Sequence, residues 1–176
     1  GYIDPSAEPV IIKVPEAGKR FWSIQLADVW TNITPGVGSR SGSKPGLYAI
    51  VGPKWTDKLP EGATELRLGA GHYQIVLRVG YSSFASQAET DADLKKAVET
   101  LHGFVVMPLS KFSSGSMPDR APDSKDAPQP PTSLRAITAG MADRRPLTLL
   151  ALIRTAVKDP TTPLDDGDRA LLARFD

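Results

Sequence analysis

Asp28 is the acid whose neighbours could give it chemistry. It stands in an apolar run, two positions from Leu26 and two from Trp30. A carboxylate half-buried there must find a partner or hold its proton. Such a group could serve as a general acid or base, with Arg78 or His72 as its helper. It could equally be structural, paired with Arg40 or Arg78 or accepting backbone N–H groups at a bulge. Structural ion pairs perturb carboxylates as active sites do, and we prefer the structural role. Arg78 occupies the polar-facing side of an alternating run. That position suits an anion site in a barrel mouth or, more simply, a salt bridge. His72 follows Gly71 and is of the side-chain type whose charge changes near neutral pH. No G-x-S-x-G elbow accompanies it. His102 fits the end of a helix, where a cation complements the dipole.

A second set of residues suggests binding. Trp22, Trp30, Tyr48 and Trp55, with Asn32 and Arg40 nearby, could line an apolar ligand pocket or stack on a sugar. Aromatics at such positions more often build core. The Gly/Ser segment from Pro35 to Gly46 carries Gly36, Gly38, Gly42, Arg40 and Lys44. Basic glycine loops can cradle phosphate. A phosphate loop should open a helix, however, and this one leads into a strand at Leu47, without Walker spacing. It reads as a plain loop.

Composition narrows the chemistry. With Cys 0, disulfides, thiolate metal sites and Cys nucleophiles are excluded. The two His are not at ligand spacing, so no metal and no cofactor are expected. Lys plus Arg is 21 against 20 for Asp plus Glu, a formal charge of +1. That balance gives no electrostatic reason to expect nucleic acid or an anionic membrane.

These residues need elements to hold them. The chain has 176 residues, 40% hydrophobic, enough for one domain or one and a fragment. Val10, Ile12 and Val14 alternate with Ile11 and Lys13. Lys19 to Ile33 is a long strand-like run whose polarity changes side near Ala27 or Asp28, which predicts a bulge or bend. Gly46 to Gly52 and Phe104 to Leu109 are apolar strands. Tyr73 to Tyr81 alternates most cleanly. Gly/Pro turns separate them, which predicts a mainly β fold: an antiparallel, jelly-roll-like sandwich. One helix interrupts it, over Thr90–His102, with Leu94, Ala97, Val98 and Leu101 on one stripe, Thr90 and Asp93 near a capping box, and Gly103 as its stop.

The sandwich is expected over residues 1–112. A Pro/Ser-rich linker follows at 113–132. Residues 133–176 turn helical, with Leu150, Ile153 and Val157 after Pro146. Asp165 or Asp166 caps a last helix whose inner side holds Leu171, Leu172 and Phe175. No run is long and apolar enough to cross a bilayer. The chain opens on Gly1 without a basic, apolar leader and ends within a helix, so we expect it to be a piece of a longer protein.

Several runs together resemble the family called domain of unknown function 1254. They are Pro9–Pro15, Arg20-Phe21-Trp22, Gln25–Asn32, Gly46–Trp55 and Leu59–Gly62, with Arg78 and the Asp91–Leu101 helix after them. The resemblance covers residues 5 to about 112. It implies a bacterial-type, exported or periplasmic protein with jelly-roll-like domains, in which a helical connection leads to a second domain, domain of unknown function 1214. That second domain and the family's segment upstream of the first strand are expected as missing partners of this chain. The resemblance supplies no activity. We therefore expect a module that binds a small ligand or assembles with its sister domain and with further copies as a homo-oligomer. The alternative is an enzyme using acid/base chemistry at Asp28 with Arg78 or His72.

Overall fold

The computed structural model describes residues 1–28, 31–34, 36–69, 71–113, 118 and 164–174. Eight strands are present in them: β1 (Tyr2–Ile3), β2 (Val10–Val14), β3 (Trp22–Ala27), β4 (Val37–Gly38), β5 (Gly46–Val51), β6 (Thr64–Arg67), β7 (Tyr73–Val79) and β8 (Val105–Pro108). Three α-helices accompany them, α1 (Gln87–His102), α2 (Leu109–Ser113) and α3 (Asp166–Leu172), with a short 3-10 turn at Ser39–Ser41. The strands form two four-stranded sheets, ordered β1-β7-β3-β4 and β6-β5-β2-β8. The fold is mainly β, as the turn spacing predicts. Its pairings are antiparallel except one: β6 runs parallel to β5, with Tyr48 opposite Thr64 and Val51 opposite Arg67.

Alternation decides what each sheet buries. Trp22, Ile24 and Leu26 of β3 and Tyr73 and Ile75 of β7 point to one core. Val10, Ile12 and Val14 of β2 and Tyr48 and Ile50 of β5 meet them from the other sheet. Trp22 anchors the contact, its ring 6.5 Å from that of Tyr48 and 6.0 Å from that of Phe104. Burying each large side chain stabilises the fold by about 1.5–3 kcal/mol.

The second sheet is covered on its outer face as well. Ile11, Ala49 and Val51 lie beneath Trp55, Leu59 and Ala63 of the β5–β6 connection and Leu109 and Phe112 of α2. Double burial is why β2 and β5 read as nearly unbroken apolar runs. Glu8 holds α2 in place, accepting from the Ser110 N–H at 2.7 Å and its hydroxyl at 3.0 Å.

Three expectations need correcting. The run from Lys19 to Ile33 is not one strand. β3 ends at Ala27, where the Asp28 N–H donates to Asn32 O, the Thr31 N–H to Asp28 O and the Thr34 N–H to Leu26 O. The chain turns back, Ala27 bridges Ile33, and Thr31 takes a φ of 66°, a region β-branched residues rarely enter. Of the bulge or bend expected near Asp28, the change of polarity thus marks a bend, tight enough to reverse the chain.

The helix also starts earlier than expected. Ser86 is its N-cap and accepts from the Glu89 N–H at 3.4 Å. Thr90 lies inside the first turn, accepting from the Phe84 N–H and donating to Ser86 O. Only Ala97 of the expected stripe is buried, and Leu94 and Val98 stay 40% and 41% exposed. Gly103 ends the helix in a right-handed conformation, φ −74°. What requires glycine there is space, since a Cβ would sit 2.9 Å from the Pro15 Cβ.

In α3, Asp165 is the cap, accepting from the Asp168 N–H at 2.7 Å. Leu171, expected on an inner side, is 53% exposed. The helix expected after Pro146 and nearly all of the 113–132 linker lie outside the described residues.

Candidate functional site

The Gly/Ser segment is held by its own serines. The Gly38 N–H donates to both Ser41 Oγ and Ser43 Oγ, at 3.0 and 3.2 Å. Ser41 Oγ donates back to Gly38 O at 2.9 Å and lies 3.0 Å from Ser43 Oγ. Ser39 ties the segment to β3, accepting from the Trp22 N–H at 3.2 Å. Gly42 turns the chain with φ 74°, a left-handed value that favours glycine. Gly38 is extended, and it is glycine for room: a Cβ would stand 2.5 Å from Trp22 O. So the segment is a braced turn laid against β3.

That turn forms one wall of a cleft of about 470 Å³, within the size range of small-molecule sites. Val37 of β4 and Thr64 and Leu66 of β6 line it, so each sheet contributes an edge strand. Gly46, Leu47 and Tyr48 of β5 form the floor. Tyr48 is buried, and its hydroxyl donates to Lys44 O at 2.6 Å. Burial raises its phenol above the ordinary 10.0, so it remains a donor at neutral pH. Among the described residues, Lys44 is the one charged residue lining the cleft, and no Asp or Glu does so.

Of the residues read as ligand-binding, Tyr48 is in this cleft. Arg40 is not; its guanidinium lies 5.2 Å from the Phe21 ring centre. Trp55 packs on the outer face of the second sheet, its buried Nε1 without a hydrogen-bond partner among the described residues. Asn32 serves Asp28. Trp30 lies outside the described residues.

The acid/base candidates have separate partners. Asp28 accepts from the Asn32 N–H at 2.8 Å and from its Nδ2 at 3.0 Å, which ties off the reversal after β3. Its charge also reaches Tyr73, whose phenol is raised by burial first and by Asp28 second. Arg78 is exposed and donates to Gln25 Oε1 at 2.6 Å. It pairs in register with Ser23, whereas Ala27 beside Asp28 pairs with Gln74, four residues back along β7. At about 3.3 Å per residue, Arg78 belongs to the other end of the strand. His72 Nδ1 lies 3.5 Å from Asp4 Oδ2, a contact without hydrogen-bond geometry. The cleft beside Tyr48 takes in none of Asp28, Arg78 and His72.

Two arginines with clear structural work escaped the sequence reading. Arg67 donates to the carbonyls of Gly52 and Trp55 at 3.1 and 2.9 Å and pairs with Glu65 at 2.8 Å. Arg20 forms a bidentate pair with Asp93, 73 residues away. Thr64 and Leu66 were missed with β6 itself. The short alternation Thr64, Leu66 against Glu65, Arg67 is its only trace.

The family model described as protein of unknown function (DUF1254) matches residues 1–108. No curated protein matches the chain. Among solved structures, the crystal structure of the VPA0106 protein from Vibrio parahaemolyticus, a structural genomics target, is similar, with a TM-score of 0.58 and 20% identity. The match covers 97% of this chain and 43% of that one. At that identity the likeness shows a shared fold, and the chain spans less than half the length of that protein.

Proposed function

The chain belongs to the family of proteins of unknown function DUF1254, and from that membership we propose that its sandwich is a non-catalytic module that takes a small ligand in the cleft beside Tyr48. The observation that carries this reading is the cleft's construction. Edge strands of both sheets and a turn braced by three serines hold it open, so little ordering is needed when a ligand enters. The module is one part of a longer, exported protein that continues into a second domain and assembles as a homo-oligomer. The coverage of 43% of the Vibrio chain supports the first of these points, and the family resemblance supports export and the second domain.

The test is a screen of small polar and amphiphilic compounds against the 15N-labelled chain. Bound compounds should move the amide signals of Val37, Lys44, Leu47, Thr64 and Leu66. Compounds that instead move the signals of Asp28, His72 and Arg78 together would overturn the reading in favour of the acid/base alternative.

A further inference from the structure

Resting on the cleft as a ligand site, we infer that its ligand is a small organic monoanion, a single carboxylate on an apolar body. Charge is the first ground. Lys44 is the one charged side chain among the lining residues, and among the described residues it has no carboxylate partner. A cationic ligand would meet it unopposed.

The second ground is the count of free donors. Ser41 gives its proton to Gly38 O, which leaves Ser43 to donate to Ser41. Tyr48 gives its proton to Lys44 O. The Gly42 and Ser43 N–H groups are bound to Ser39 O and Gly38 O. Of the lining side chains, the Lys44 ammonium and the Thr64 hydroxyl remain as donors, since Thr64 makes no side-chain hydrogen bond among the described residues. Two donors suit the two oxygens of one carboxylate. They do not suit a phosphate dianion, which is met by several backbone N–H groups or an arginine fork. The turn's own bonds occupy the Gly38, Gly42 and Ser43 N–H groups, three that a phosphate cradle there would call on.

The third ground is the rest of the lining. Val37, Leu47, Leu66 and the Tyr48 ring are apolar and would shed water onto a hydrocarbon tail. The headgroup meets the exposed Lys44 and the tail meets this wall.

The experiment titrates the 15N-labelled chain with octanoate, octanol, octylammonium and inorganic phosphate at equal concentrations. Octanoate should move the cleft amides and bind roughly fivefold tighter than octanol, as one exposed ion pair allows. Lys44→Met should erase that preference and Lys44→Arg should keep it. Equal binding of octanol, or tighter binding of octylammonium or phosphate, would overturn the monoanion while leaving the cleft a ligand site. If no probe moves the cleft amides, the ligand-site reading falls as well.

Discussion

Arg20 grips both oxygens of Asp93, Nη2 on Oδ1 at 2.7 Å and Nη1 on Oδ2 at 2.9 Å, with each side chain less than a fifth exposed. The Ser82 N–H also donates to Asp93 at 2.8 Å, and Arg20 reaches Gly80 O at 3.0 Å. One carboxylate thus joins α1, the segment after β7 and the approach to β3. The arginine and the Ser82 N–H hold the Asp93 carboxyl well below its ordinary 3.8. Its folded-state value lies under its unfolded one. The pair therefore stabilises the fold in full above about pH 4, and the contribution fades as pH falls toward the depressed value. Urea midpoints measured from neutral pH into acid should drop for the parent chain. Asp93→Asn should start lower at neutral pH and show a shallower acid limb. An unchanged acid limb would assign the effect to other carboxylates.

Gly38 and Gly42 lie in one turn yet answer to different constraints. At Gly38 a Cβ would meet backbone, 2.5 Å from Trp22 O and 3.0 Å from Ser23 Cα. At Gly42 it would meet nothing within 4 Å, and the obstacle is φ 74°. Gly42→Ala should cost about 1 kcal/mol, the penalty for one left-handed residue. Gly38→Ala should cost up to about 3 kcal/mol, as overpacking does. It should also shift the Trp22, Ser23 and cleft amide signals, which Gly42→Ala leaves in place. Denaturant unfolding and amide spectra read the two effects.

Arg67 is the tie that keeps the β5–β6 connection on the outer face of the second sheet. Arg67→Ala leaves the carbonyls of Gly52 and Trp55 without their charged donor. Hydrogen bonds to charged groups are worth ~1.5–3 kcal/mol when well placed, and less at an exposed site such as this one. Amides between residues 53 and 63 should exchange roughly tenfold faster while those of β2 and β3 keep their protection. Uniform acceleration across both sheets would show that the tie holds the whole fold and not the connection alone.

What the sequence revealed follows from what was local. β2, β5, β7 and β8 were legible because their alternation or double burial is written in consecutive residues. β1 and β4 are two residues each, too short for a period to appear, and the four residues of β6 are mostly polar and show their alternation only once. The helix stop at Gly103 was legible, but its start was not. Ser86 and Glu89 hold the capping spacing, and the apolar stripe drew attention to Thr90 instead. For Asp28 the sequence left the partner open between an arginine and backbone N–H groups; the hydrogen bonds seen among the described residues come from the N–H and Nδ2 of Asn32, four residues on. The cleft was legible only as a loop. Its far wall is β6, and a parallel edge pairing across 16 residues leaves no local pattern.

The position of β2 has a consequence for how the chain is made. It lies between β5 and β8, and Val10 pairs with Pro108 at a separation of 98 residues. Synthesis at ~5–20 residues per second places several seconds or more between the emergence of β2 and that of its last neighbour. Through that interval one edge of β2, with Ile11 and Ile12 that the finished fold buries completely, stands unpaired. The nascent chain must be shielded until Pro108 clears the ribosome. Nonlocal pairing of this kind folds slowly, and truncation before β8 should yield insoluble protein rather than a smaller sandwich.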